Sequence, residues 1–285
     1  MPVSPSPSPS AQAARQAVAD QLRDIRTGAG MKAIVLADRA GWDRTKVSKL
    51  EHAVRAASAD DIATWCRICG AEDQAADLIA KAREADSMYL EWRRAHRTGL
   101  RRLQAWRQPL FEQTELMRVY CCNVVPGLFQ TPAYATALLH AVTEFQGTPN
   151  DVDAAVQARL DRSHVIYKAG HRFSVVIEEE VLRHRIGDAD TMAGQLGHLL
   201  AVMSLPAVSL GVIPFAGPAR QIWPVPTFDV FDDKRVHIEL LSATVTITAP
   251  TEVGVYVKAH TRLAEMAVYG ATARGLITTA IDALD

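Results

Sequence analysis

The most chemically informative stretch of the chain is Arg44-Thr45-Lys46-Val47-Ser48-Lys49-Leu50-Glu51. At helical spacing, Val47 and Leu50 share one face and take the interior, which turns Arg44, Thr45, Lys46, Ser48 and Lys49 outward. A guanidinium there can hold the O6/N7 edge of guanine bidentately, and a threonine can meet a thymine methyl. Lys32, Lys46 and Arg55, with the hydroxyl of Ser48, suit phosphate oxygens. The chemistry on offer is recognition by charge and hydrogen bonds.

Those side chains need a scaffold that carries their helix into a groove about 12 Å wide. A helix-turn-helix requires a small residue where its helices cross, a flexible turn residue four positions on, and an apolar residue in the second helix. Ala37, Gly41 and Val47 fill those places, and Leu36, Ala37 and Ala40 face inward on the first helix. The competing reading is a helical hairpin with a solvated basic face. Val18, Leu22, Ile25 and Ala29 give a preceding helix its apolar stripe. From Asp73 a further helix carries Leu78, Ala82, Ala85, Tyr89 and Trp92. Its basic continuation runs from Arg93-Arg94 through Arg97 and Arg101-Arg102 to Arg107, and reads as a solvated face linking two domains.

The net charge of −1 conceals an asymmetry. Residues 11–58 hold nine Lys/Arg against five Asp/Glu, whereas residues 111–285 hold thirteen against nineteen, so a basic module sits on an acidic body. No apolar run approaches the roughly 18–20 residues needed to cross a bilayer, and no basic-then-apolar leader opens the chain. The Pro/Ser-rich residues 1–10 read as a disordered tail, and the expected location is cytoplasmic, nucleoid-associated when bound to DNA. Cys66 and Cys69 form a C-x-x-C, but Ile62, Trp65, Cys66 and Cys69 fall at i, i+3, i+4 and i+7, the inward stripe of a helix capped by Ser58 and stopped at Gly70. Cys121 and Cys122, on an extended segment, point to opposite faces. The expectation is therefore no metal site, no disulfide and no cofactor.

Beyond Pro109 the texture changes. Alternation typical of strands appears at 172–177, 208–213, 228–231, 236–240 and 244–248, with helical segments at 132–142, 152–167, 181–185 with 191–203, 252–269 and 271–284. The fold class expected is α+β: an all-α N-terminal helix-turn-helix domain of the repressor-like type and a mixed α+β C-terminal domain. Catalytic signatures are missing, since there is no Gly-x-Ser-x-Gly elbow, phosphate-cradling loop or His-Glu-x-x-His. No catalytic residue and no enzymatic activity is expected. Pro126-Gly127-Leu128-Phe129-Gln130-Thr131 reads as a tight turn into a helix capped by Thr131, with Pro132 in its first turn. It is also the candidate border of a partner or ligand surface.

Residues 15–69 resemble the XRE (Cro/repressor-like) helix-turn-helix family, whose recognition helix runs into an Ile/Leu-Glu-x-Gly ending. The resemblance implies base reading from Arg44, Thr45 and Lys49. This chain carries Ala53 where the family has Gly, and a left-handed backbone there would cost about 1 kcal/mol. Lys32 stands where a capping side chain is common. Farther on, Val125 to Thr131 with Tyr134-Ala135, Arg159 with Arg162, Glu178–Arg183, Gln195-Leu196, His198-Leu199, Val212 to Phe215 and Phe228 resemble a C-terminal domain of actinobacterial XRE-type regulators. Members are described as antitoxin-like and are often encoded beside a short protein.

These readings combine into a tail (1–10), a DNA-binding domain (11–70), a helical connector (71–108) and a regulatory domain (109–285). The function expected is a homodimeric, sequence-specific regulator that reads double-stranded DNA through the major groove, its C-terminal domain sensing a partner or signal. The alternative is an antitoxin-like interaction module that binds a small protein from an adjacent gene, with DNA binding autoregulatory.

Overall fold

A computed structural model of the chain describes residues 9–87, 90–91, 100–217, 219–241 and 243–284. Tyr89, Trp92, Arg93, Arg94 and Arg97, read above as part of a basic connector, lie outside the described residues, as do residues 1–8 of the expected tail. The chain divides into two compact units, Met1–Leu90 with Val245–Gly254 and Glu91–Thr244 with Val255–Asp285. No helix among the described residues is long and apolar enough to cross a membrane.

The first unit is helical: α1 (Pro9–Gly28), α2 (Ala33–Ala40), α3 (Arg44–Glu51), α4 (Ala59–Cys69) and α5 (Ala75–Ser87). Helix α1 begins at Pro9, so Pro9 and Ser10 are helical and not part of a tail. One core gathers Val18, Leu22, Leu36, Ala37, Val47, Leu50, Ile62, Trp65, Cys66 and Leu78. Leu78 lies on α5 and is fully buried, so the packed unit extends past residue 70. Trp65 pairs its one polar atom in that interior, Nε1 donating to the Leu22 carbonyl at 2.9 Å. Cys66 is buried and a free thiol, as its place on the inward stripe requires.

Buried charge ties these helices together. Glu51, at the end of α3, is 5 % exposed. Arg26 of α1 donates to it bidentately, Nε to Oε1 at 2.6 Å and Nη2 to Oε2 at 3.2 Å, and gives Nη1 to the Met31 carbonyl at 2.6 Å. Arg23 adds a hydrogen bond to the Glu51 carbonyl at 3.0 Å. A forked guanidinium fixes both distance and orientation, so the end of α3 is set against α1.

The ends of α2 and α3 use the same device. Gly41 turns left-handed at φ +65°, with Trp42 N–H reaching back to the Ala37 carbonyl at 2.9 Å. After α3, Ala53 takes φ +52°. Its N–H donates to Leu50 O at 3.2 Å, and Val54 N–H to Lys49 O at 3.0 Å, which is a Schellman closure. The loop is not rearranged around the alanine, so the steric cost is borne in place.

The C-terminal part of the chain contains a mixed sheet of six strands: β1 (Leu116–Cys121), β2 (Arg172–Glu178), β3 (Val208–Ile213), β4 (Phe228–Phe231), β5 (Arg235–Glu239) and β6 (Ala243–Ile247). Their order is β6-β5-β4-β1-β2-β3. β1, β2 and β3 are parallel, whereas β4 is antiparallel to both β1 and β5. Parallel neighbours need crossovers. β1 reaches β2 through α7 (Pro132–Gln146) and α8 (Val152–Ser163), and β2 reaches β3 through α9 (Ala189–Val202). α6 (Leu100–Gln113) leads in, while α10 (Pro250–Met266) and α11 (Gly270–Asp282) close the chain. Helices and a mixed sheet make the α+β class expected from the sequence.

One row of paired residues runs Leu210, Val175, Val119, Asp229, His237 across five strands, apolar on the parallel side and polar on the antiparallel side. The apolar end packs with Met192, Leu196 and Leu199 of α9 and Ala273 and Ile277 of α11 in the main core. On the other face, Phe228 meets Tyr256 edge-on at 5.2 Å, and His260 Nε2 lies 3.0 Å from the Ser174 carbonyl. Gly211 is required on β3, because a Cβ there would sit 2.6 Å from the Tyr269 ring. The central strand β1 is not among the segments whose alternation indicates a strand, and only its last residue, Cys121, falls on the segment expected to be extended.

Replacing Ala53 with Gly is expected to stabilise the protein by about 0.5–1 kcal/mol by relieving the left-handed alanine. Urea unfolding followed by circular dichroism checks this, and a loss of stability would contradict it.

Candidate functional site

Two sites emerge, one in each unit. In the first, Asp43 caps α3, accepting Thr45 N–H at 2.8 Å and the Thr45 hydroxyl at 2.6 Å. Those hydrogen bonds hold the Asp43 carboxyl below its ordinary pKa. They also commit the Thr45 hydroxyl to the cap, leaving its methyl as the group free for apolar contact. Thr45, Ser48 and Lys49 are exposed along the helix, as are Lys32 and Arg55 beside it. Arg44 is the first residue of α3; its side chain lies outside what the structure describes. Lys32 occupies the N-cap of α2 in extended conformation with no side-chain capping bond.

Lys46 is placed differently from a simple phosphate ligand. Its Nζ is 2.5 Å from Asp61 Oδ1 and 4.0 Å from the centroid of the Trp42 ring. Asp61 is 5 % exposed and belongs to the capping box of α4, accepting Ser58 N–H at 3.2 Å while its own N–H donates to Ser58 Oγ at 3.1 Å. Burial pushes the Asp61 carboxyl up, but Lys46 and the Ser58 hydrogen bonds outweigh it and hold it below the ordinary carboxylate value. Arg55 stands 3.9 Å from the same carboxylate. Lys46 therefore joins α3 to α4, and the sequence signal for this was the S-x-x-D box at Ser58.

In the second unit, the Pro126–Thr131 motif folds as a 3₁₀ turn, Gly127–Phe129, into α7. Thr131 Oγ1 accepts Tyr134 N–H at 3.3 Å, with Pro132 in the first turn, which is the reading made from the sequence. Gln195 of α9 clamps the turn, accepting Thr131 N–H at 2.7 Å and donating to the Phe129 carbonyl at 2.6 Å. Leu128 and Phe129 are buried, so they are interior residues, whereas Gly127 is half-buried.

The turn forms one wall of a cavity of about 140 Å³ over the polar end of the sheet row. Arg107 of α6, Arg159 and Arg162 of α8, Asp229 of β4, and His237 and Glu239 of β5 also line it. Arg107 pairs with Glu239. Arg162 is 5 % exposed; its Nη1 donates to Gln104 Oε1 at 2.7 Å and to the Gln104 carbonyl at 3.1 Å, and its guanidinium lies 4.9 Å from the Phe111 ring centroid. Arg159 hydrogen-bonds Gln130 Oε1. Neither Arg159 nor Arg162 has a carboxylate in salt-bridge range among the described residues. Nε of Arg107, Arg159 and Arg162, and Nε2 of His237, have no hydrogen-bond partner among them.

Protonation follows from this placement. Burial, then the proximity of Arg159, lowers Arg162 to about 9, and burial lowers Arg159 to about 10. Burial, reinforced by Glu239, raises Asp229 to about 7. His237 is held neutral, lowered to about 3 first by burial and then by Arg107. Arg107 reads from the sequence as a solvated connector residue and is instead a half-buried wall of the cavity. Asp229, His237 and Glu239 were not singled out, because alternating polar residues in a strand read as a solvent face. No group of His, Cys, Asp and Glu suited to a metal ion occurs among the described residues.

Comparison with known families matches residues 17–79 to the Helix-turn-helix domain and residues 112–279 to the Domain of unknown function (DUF5753). Neither curated proteins nor solved structures give a match to this chain.

Lys46→Met is expected to cost about 1–3 kcal/mol of stability, because it leaves the buried Asp61 carboxylate with only the more distant Arg55 as a cation. Asp61 stabilises the fold above its unfolded pKa, and that contribution is lost as pH falls through the lower folded value. The variant should therefore lose less stability than the parent below about pH 4, which urea titrations at stepped pH would show. Parallel acid limbs would mean that the ion pair contributes nothing.

Proposed function

We propose a function for a chain that belongs to the Domain of unknown function (DUF5753) family and carries an N-terminal helix-turn-helix domain: it is a non-enzymatic DNA-binding regulator. The observation that carries this reading is α3, presented by a packed helix-turn-helix with Thr45, Ser48 and Lys49 exposed along it and with its base locked through Glu51 to Arg26.

Arg44, Thr45 and Lys49 are the proposed base readers, with the Thr45 methyl as the contact and its hydroxyl held by Asp43. Lys32, Ser48 and Arg55 are the proposed backbone contacts, with Lys46 first a strut between helices and only secondarily a cation for phosphate. The protein works as a homodimer in the cytoplasm on two half-sites spaced by about 34 Å or a multiple of it. Domain limits of 9–87 and 100–284 suit this division of labour better than a boundary at residue 70, given the burial of Leu78. The antitoxin-like alternative, with a small partner protein, has support only from the resemblance of the C-terminal segments, Val125 to Thr131 among them, to a domain of actinobacterial XRE-type regulators.

Selecting fragments of native genomic DNA with the purified chain tests the reading. One enriched, two-fold-symmetric motif is expected, with Arg44→Ala and Lys49→Ala each costing about 1–3 kcal/mol of affinity for it. Lys32→Ala should instead weaken all DNA alike and reduce the salt slope by about 1. Weak, uniform, steeply salt-dependent binding would remove the regulator reading and leave the C-terminal domain as the centre of function.

A further inference from the structure

The cavity in the C-terminal domain holds more positive charge than its own carboxylates offset. Arg107 is matched by Glu239, and Asp229, with its proton held to about pH 7, supplies at most a partial charge. Arg159 and Arg162 face the same space with only amide and carbonyl partners. Enclosing two guanidinium groups without counterions, Arg162 buried and Arg159 half-buried, is costly, and an anion bound beside them would offset that cost. Nε of both arginines lacks a partner among the described residues, and a guanidinium presents its donors in the planar fork that carboxylates accept.

The rest of the lining narrows the class. Phe111, Met117, Val119, Val125, Leu128 and Leu138 form apolar walls around the charged end. A compact, strongly hydrated dianion would desolvate against those walls and meet Asp229 and Glu239. A monoanion with an apolar body suits both ends, and a volume of about 140 Å³ limits it to roughly the size of one substituted ring.

We propose that this cavity binds a small organic acid, its carboxylate held by Arg159 and Arg162 and its apolar body lying against Phe111, Met117 and Leu138. Asp229 and the neutral His237, at the far side of the same row, hydrogen-bond any polar substituent. The inference deepens the regulator reading by naming the class of signal, and rests on it only for the consequence of binding. The binding itself stands apart. Because the Gln130 side chain joins Arg159 to the Pro126–Thr131 turn, and Gln195 joins that turn to α9, occupancy is felt first at the turn.

The test is calorimetric and thermal titration of the full chain, without DNA, using benzoate, benzamide and inorganic phosphate as probes. Benzoate is expected to bind saturably and raise Tm, with benzamide and phosphate at least tenfold weaker. Arg159→Gln should weaken benzoate at least tenfold. Arg159→Lys, which keeps the charge but not the fork, gives the same reading in a less disruptive form, with circular dichroism to check the fold. Equal binding of benzamide would overturn recognition of charge, and preference for phosphate would overturn the organic acid. Absence of saturable binding by any probe would make the cavity a hydrated structural feature and overturn the proposal. Failure to select a DNA motif would sink the regulator reading and leave the benzoate result untouched, so the two failures are distinguishable.

Discussion

A buried charge must have a partner, and both units of this protein are organised by how that requirement is met. In the helical unit it is met completely: Glu51 receives a forked guanidinium from Arg26, and Asp61 receives Lys46 together with its capping partner Ser58. Neither pair is needed to exclude water, because Leu22, Leu36, Val47, Leu50 and Trp65 already form an apolar interior. What the pairs add is orientation. Apolar packing tolerates sliding, whereas a bidentate hydrogen bond does not, so α3 is fixed at its end by Arg26 and along its length by Lys46.

In the α+β unit the same requirement is met only in part. The parallel strands, covered by α9 and α11, hold an apolar interior of ordinary kind. Across β4 and β5 the row turns to Asp229 and His237, and α6 and α8 lay three arginines over it. Arg107 and Glu239 neutralise one another, leaving Arg159 and Arg162 with neutral partners. Well-packed apolar residues in place of buried charge are often as stable or more so. Retaining incompletely matched charge beside an apolar wall is the arrangement of a site, and the Pro126–Thr131 turn is the element that touches it while being held by Gln195.

Local rules explain the elements that were legible. Ser58, Thr131 and Asp43 each cap the helix that follows, and Gly41 and Gly70 end helices in left-handed conformation, as their side chains or lack of them dictate. Strand β3 occupies the segment its alternation indicated, and β2 and β5 differ by a residue at their ends. Strand β1 was less legible. Its sequence, Leu-Met-Arg-Val-Tyr-Cys, follows a helix that continues through Pro109, and proline read as the boundary hid the true break. Arg107 was misjudged for a related reason: a basic residue in a basic run looks solvated until a partner from a distant strand covers it.

The sequence alone determined the helix-turn-helix, because its requirements are local: a small residue, a glycine and an apolar residue at fixed spacings. It also determined the α+β class and the Pro126–Thr131 turn for the same reason. Only the tertiary structure decided that Lys46 is a strut, that Ala53 keeps the left-handed turn, and that Arg107, Arg159, Arg162, Asp229, His237 and Glu239 share one cavity. Periodicity tells which residues lie on one face of a strand or helix. Whether that face meets water, apolar side chains or another charge is set by elements far away in the chain, and the environment of a charged group follows from them.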